Sequence, residues 1–154
     1  MDNIYKYREP TDEDLEYLAR NMKHADRREV VGVDGGDILQ SLHTCRDTSD
    51  YCSVCLANNV PMAIFGIKAG GLITTDGMIW LLSTPDIDRH KVYVAIRSRK
   101  IVRTALKVYT RLYNYVDVKN ENSIKWLKWL GAEFARPEPY GVYGLPYRYF
   151  VIER

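Results

Sequence analysis

Residues 112–134 constrain the fold of this chain more than any other stretch, because their apolar period changes once, in the middle. Leu112, Asn114, Val116 and Val118 alternate with Tyr113, Tyr115 and Asp117, which predicts a strand rich in β-branched and aromatic residues. Past the polar turn Asn120-Glu121-Asn122, Ile124, Leu127 and Leu130 recur every three residues with Trp126 beside them. That spacing predicts a short helix capped near Asn122 and stopped at Gly131. At about 100° per residue, Trp126 lies roughly 100° and Trp129 roughly 160° from Leu127, in the middle of the apolar stripe. Trp129 is therefore expected to be the more exposed of the two, bordering a cleft or a partner surface.

On either side of this unit the two periods alternate. Ile4, Tyr5 and Tyr7 predict a first strand ended by Pro10, and Thr11-Asp12-Glu13-Asp14 reads as a capping box ahead of Leu15, Leu18, Ala19 and Met22 at helical spacing. Residues 23–36 are charged and end in Val33-Asp34-Gly35-Gly36, which predicts a loop, after which Ile38, Leu39, Leu42 and Cys45 give a second helix. Apolar runs at 51–57 and 61–68, joined by Asn58-Asn59, predict a hairpin, and 78–83 a third antiparallel member. From residue 90 to 109 the spacing describes a long helix with a basic outer face. A loop rich in Pro, Gly and Tyr over 137–146 leads into a closing strand, 147–152. This order implies an α+β fold with helices flanking a mostly antiparallel sheet.

The 154 residues suit one domain, 1–154, long enough to bury a sizeable core. A net charge of only +2 gives no general reason to expect nucleic acid, and no run approaches a membrane span. The opening Met1-Asp2-Asn3 lacks the basic and apolar regions of a signal peptide, and three cysteines make no disulfide framework. A soluble protein of a reducing, intracellular compartment is the expectation.

The segment from Asn120 onward resembles the GNAT superfamily of N-acetyltransferases, whose late motif reads N-x-x-A-x-x-L-Y-x-x-x-G-F. Asn120 takes the Asn, Ser123 the small residue, Trp126 the Leu, Gly131 the Gly and Ala132 the Phe, while Leu127 falls where the Tyr usually stands. The wording N-Y-V-D-x-x-N-x-x-x-I-K-W-L-K-W-L-G-A is similar, more narrowly, to short GNAT-like proteins among the late genes of podovirus-type tailed phages. The resemblance implies a seven-stranded sheet flanked by about four helices and split between strands four and five. It also implies acetyl-CoA as cofactor, an amine as acceptor, and the host cytoplasm or the virion as location.

Carried over residue by residue, the cofactor would lie against the fourth-strand edge at Leu81, Leu82 and Ser83, with Asn120 nearby. Its pyrophosphate would meet the start of the third helix. There the family has a glycine loop, and this chain has Asp86-Ile87-Asp88-Arg89-His90-Lys91 with no glycine. Arg89, His90 and Lys91 can replace the cradle by charge, or the segment is a solvated helix start. The fourth strand has no carboxylate to serve as base. Tyr113, Tyr115 and Tyr143 are the catalytic candidates, with Tyr140, His90 and Glu9 as further substitutes. An aromatic rim without catalysis accounts for the same tyrosines. The two functional readings are therefore an N-acyltransferase moving an acetyl group from acetyl-CoA to an amine, and a non-catalytic phage virion, assembly or host-interaction protein that keeps the fold.

Three further features are weighed on chemistry alone. His43, Cys45, Cys52 and Cys55 supply zinc-ligand types, but in a strand Cys52 and Cys55 point to opposite faces, which favours buried apolar cysteine and no metal site. Arg97, Arg99, Lys100, Arg103 and Lys107 form either a phosphate-binding face or a solvated helix face. Tyr140-Gly141-Val142-Tyr143-Gly144-Leu145 reads as a binding lid or as a bulky turn.

Overall fold

A computed structural model describes residues 2–154. Strands β1 (Tyr5–Arg8), β2 (Tyr51–Ala57), β3 (Val60–Ala69), β4 (Asp76–Ser83), β5 (Arg111–Asp117), β6 (Glu133–Phe134), β7 (Glu138–Tyr140) and β8 (Leu145–Glu153) form one sheet. Its order is β1-β2-β3-β4-β5-β8-β6, with β7 pairing β8 beside that path. The helices are α1 (Asp12–Asn21), α2 (His24–Asp34), α3 (Ile38–Thr48), α4 (Lys91–Ala105) and α5 (Glu121–Trp129). The α+β class stands. The sheet has eight strands rather than seven because the loop expected over 137–146 contains β7, which turns back on β8.

Every pair is antiparallel except β4 with β5. Those two run parallel for three residue pairs, from Asp76 with Arg111 to Met78 with Tyr113, and then diverge. The split that the resemblance implies is present. Asn58 and Asn59 both take positive φ, 53° and 68°, which matches the twist of the flanking strands and closes the β2–β3 hairpin tightly.

Helices α1 and α3 cover one face of the sheet, burying Leu15, Leu18 and Leu42 on Val54, Ile64 and Leu82. On the other face α4 and α5 cover Leu112, Val116, Phe150 and Ile152. The capping box before α1 is complete: Thr11 Oγ1 accepts from Asp14 N–H, and the Asp14 carboxylate accepts from Thr11 N–H. Cys52 and Cys55 lie on opposite faces, as strand alternation requires.

Three local expectations are corrected. Residues 24–34 are helix, not loop: Gly35 in the left-handed region, with its N–H on the Val31 carbonyl, ends α2 as a C′ glycine does. The cap of α5 is Asn120, two residues earlier than expected, its Oδ1 accepting from Ser123 N–H. The long basic helix begins after a 3₁₀ segment, Pro85–His90, and stops at Ala105.

Candidate functional site

The wedge between β4 and β5 opens into a cleft of about 660 Å³, bounded by both arms of the sheet and by α2, α3 and α4. Strand alternation decides which backbone groups face it. Asp76 accepts from Gly70 N–H and Thr84 donates to the Met62 carbonyl, so even-numbered residues of β4 turn their backbones to β3. Ile79, Leu81 and Ser83 turn theirs into the split. Leu82 sends its backbone to β3 and its side chain under α1 and α3, so only Leu81 and Ser83 of the three expected edge residues present backbone groups there.

The chain itself fills the two ends of this edge, at Ile79 and Ser83, and leaves Leu81 between them facing the cleft. At the apex, Asn114 Nδ2 donates to the Ile79 carbonyl at 2.6 Å, while its Oδ1 accepts from Tyr115 N–H at 2.7 Å. At the open end α2 bridges the two arms. Asp26 Oδ2 accepts from Ser83 N–H at 2.8 Å and from Ser83 Oγ at 3.0 Å, and Lys23 N–H donates to the Ser83 carbonyl at 2.8 Å. On the β5 arm, Glu29 Oε1 accepts from Asp117 N–H at 3.1 Å and from Asn120 Nδ2 at 3.0 Å. Arg28 Nε donates to Asp117 Oδ2 at 2.7 Å, and the Tyr147 hydroxyl donates to the Glu29 carbonyl at 3.0 Å.

Two carboxylates are thus held in low-dielectric surroundings. Burial pushes Glu29 up to about 7, against the opposing pull of its bonds to Asn120 and Asp117. Burial likewise raises Asp26, with the Ser83 bonds acting the other way. Burial raises Tyr147 too.

The sequence-predicted residues divide in this frame. Leu81, Ser83 and Lys91 border the cleft, and Tyr115 joins them, its ring stacked on Tyr140 at 3.9 Å. Asn120 is buried and committed to capping α5 and to Glu29. Arg89 donates to Asp86 at 2.7 Å, and buried His90 is 2.7 Å from the Tyr5 hydroxyl and 3.4 Å from Asp86. Tyr113 packs beside Tyr149, Tyr143 is exposed on the turn before β8, and Glu9 is exposed beyond β1. Asp26 and Glu29 were missed. The available signal was the i, i+3, i+4, i+7 row of Asp26, Glu29, Val30 and Val33, one helix face with two of its four places acidic.

Residues 52–138, more than half of the chain, match the family model described as bacteriophage T7 probable scaffold protein Gp13. The chain belongs to that family. No curated protein matches it in sequence. Among solved structures, a GNAT-family acetyltransferase from Bacillus anthracis is 12% identical with a TM-score of 0.72, covering 97% of this chain and 94% of that one. An N-acetyltransferase from Staphylococcus aureus Mu50 is 14% identical with a TM-score of 0.68, over 97% and 98%. An aminoglycoside acetyltransferase in complex with coenzyme A is 16% identical with a TM-score of 0.67, over 98% and 95%. At such identities the likeness establishes the fold: this Gp13-family chain has the GNAT fold.

A GNAT fold implies acyl-CoA, which needs an open β4 edge and a cradle for pyrophosphate. In this Gp13-family chain Ser83 is held by α2. The cradle position is a glycine-free 3₁₀ segment beginning with an Ile87 N–H to Thr84 carbonyl bond, with Arg89 already paired to Asp86. Lys23 likewise pairs with Asp88 at 3.1 Å. At these two places the residues present offer that group neither a free Ser83 backbone nor a glycine cradle.

Proposed function

We propose that the whole chain, 1–154, acts as a single GNAT-fold domain that works in phage particle assembly by binding rather than by acyl transfer. The observation that carries this reading is the bridge of α2 across the split. Asp26 and Lys23 occupy the Ser83 backbone on the β4 edge that an acyl-CoA enzyme needs accessible, and Glu29 ties the same helix to Asp117 and Asn120 on the other arm. Membership of a family described as a probable scaffold protein supports the assembly role. Among the described residues no helix is long and apolar enough to cross a membrane, consistent with action in the host cytoplasm or in the particle.

The rival reading is an acetyl-CoA-dependent acyltransferase acting on an amine. Two observations favour it: Glu29, raised to about 7, borders the cleft in the range useful to a general base, and Thr84 Oγ1 is buried without a hydrogen-bond partner among the described residues. Titration calorimetry with acetyl-CoA and CoA separates the two. The binding reading expects no heat of binding up to millimolar ligand, together with co-purification of the protein with structural proteins of assembling particles. Micromolar acetyl-CoA binding, with new acetylation of a host or viral amine in cells expressing the protein, would replace it with the enzymatic reading.

A further inference from the structure

A second concavity of about 760 Å³, whose lining shares only Val102 and Leu130 with the cleft, runs between the C-terminal halves of α4 and α5 and the end of β8. Arg99, Arg103, Lys107 and Arg154 stand along it, with Glu153 as its one carboxylate, and Glu153 is 3.5 Å from Arg111. Lys100, Lys125 and Lys128 are exposed on the same two helices. Among the described residues none of Arg99, Lys100, Arg103, Lys107, Lys125, Lys128 or Arg154 makes an ion pair. The net charge of +2 hides this asymmetry, because so many acids are committed elsewhere: Asp12, Asp14, Asp86, Asp88 and Asp117 are all paired.

These cations are of two kinds. Arg99 and Arg154 are tethered, donating to the Trp129 carbonyl and the Leu106 carbonyl at the ends of α5 and α4. They offset the partial negative charge of two helix C-termini that would otherwise repel an anion. Arg99 Cζ also lies over the Trp129 ring, 3.7 Å from its centroid, so a cation and a partly exposed indole form one wall. Lys100 on α4 beside the groove, Arg103 on α4 and Lys107 in the turn after it are untethered and follow each other at i, i+3 and i+7. That row spans about 10 Å, over which one strand of a duplex presents about three phosphates. The floor of Val102, Leu106, Leu130 and Ile152 is apolar and continuous with the core beneath, and the cations stand along its rim.

We propose that this groove binds the phosphodiester backbone of nucleic acid, with Arg103 and Lys107 in the groove and Lys100 beside it as the phosphate contacts and the Arg99–Trp129 pair as the adjoining wall. An acidic protein segment would be met by the same charges. The regular spacing of the row favours the repeating phosphate.

The test is fluorescence anisotropy of the full chain with labelled single- and double-stranded 20-mers and with poly-glutamate, at 50 to 200 mM salt. For three to five duplex phosphate contacts, affinity falls about 40- to 500-fold over that range, and single strands show a shallower slope. Combining Lys100→Gln, Arg103→Gln and Lys107→Gln weakens duplex binding at least tenfold at 100 mM salt and lowers the salt slope, with the urea midpoint unchanged. Combining Lys6→Gln, Arg20→Gln and Arg136→Gln, exposed cations elsewhere, removes the same charge and leaves binding near wild type. A loss on Trp129→Ala confined to the single strand assigns base stacking to the wall; equal loss on both substrates assigns it to the backbone. No binding at 50 mM salt, binding to poly-glutamate alone, or equal loss in the two triple variants would overturn the proposal.

Discussion

The cleft at the split and the groove between α4 and α5 are both largely apolar concavities set with polar groups, and they differ in where those groups find partners. In the cleft, Asp26, Glu29 and Asn114 are matched to Ser83, Asp117, Asn120, Ile79 and Tyr115 within the chain. In the groove, the cations of the α4 row are matched to nothing within it. A buried donor or acceptor left unpaired costs about 1–3 kcal/mol, so internal matching holds the two arms of the sheet together. An exposed unpaired lysine costs almost nothing, and its charge stays available to a ligand. The polar residues of the α2 bridge thus preserve shape, while those of the α4 row present charge.

The largest effect should come from the apolar layer that both regions share. Leu127 is buried between Val116 and Phe150, and Leu127→Ala is expected to cost about 2–5 kcal/mol by cavity formation, read from urea unfolding. Trp129, 42% exposed against the groove, should cost less on truncation, about 1 kcal/mol from the lost Arg99 contact. Equal costs at the two positions would mean that Trp129 is core, and the contrast between cleft and groove would lose its groove side.

Next in size is the pH dependence of the cleft. Glu29 has its ordinary value of 4.5 when unfolded and about 7 when folded, so between those values the folded chain holds the extra proton. Its contribution to stability is therefore greatest below about 4.5, falls as pH rises, and levels off above 7. At 1.36 kcal/mol per pH unit the fall is at most ~3 kcal/mol. Glu29→Gln keeps the acceptor for Asp117 N–H and Asn120 but carries no charge. The difference between the wild-type and variant unfolding curves should grow from pH 5 to pH 8, with the variant the more stable at pH 8. A flat difference would show that the carboxylate is hydrated and the bridge open.

This bridge is also where the sequence is least readable. The β5 to α5 unit, the Asn58-Asn59 hairpin and the Thr11 box were legible because each rests on a local rule: alternation, turn chemistry or capping. The exposure of Trp129 followed from helix geometry alone. Helix α2 broke the usual rule, since its inward face carries Asp26 and Glu29 and a glycine, Gly32, against which the Tyr147 hydroxyl lies so closely that a Cβ would stand 2.3 Å from it. Apolar periodicity cannot report a helix whose buried face is acidic. The split was implied by resemblance, but its filling was not, because Ser83 and Asp26 are far apart in sequence and meet through the tertiary fold. The groove was half legible: the basic run of α4 was visible, while the contributions of Trp129 and Arg154 needed the structure.

A smaller effect sharpens the cleft side. Ser83→Ala removes one of the two Ser83 bonds to Asp26 Oδ2 and leaves the backbone N–H in place. The expected cost is about 1–2 kcal/mol, since the acceptor is a charged group. Exchange of the Ser83 amide proton, followed by NMR, should quicken if Asp26 then swings away. Unchanged exchange and stability would remove Asp26 from the bridge and leave Lys23 N–H as its hold on Ser83.

The smallest effect belongs to the groove and is expected to be near zero. Lys107 is exposed, makes no ion pair among the described residues and projects from the turn after α4, so Lys107→Gln should move the urea stability by less than about 0.5 kcal/mol. The sign carries information. With Arg103 one turn back, Lys100 two turns back and Arg154 across the groove, removing one cation relieves like-charge repulsion, so a slight stabilisation at low salt that disappears at 0.5 M salt is the expected pattern. A salt-independent loss above 1 kcal/mol would mean that Lys107 packs or pairs within the chain. The groove would then be internally matched like the cleft, and the separation of shape-holding from ligand-facing polar residues would fail at its simplest position.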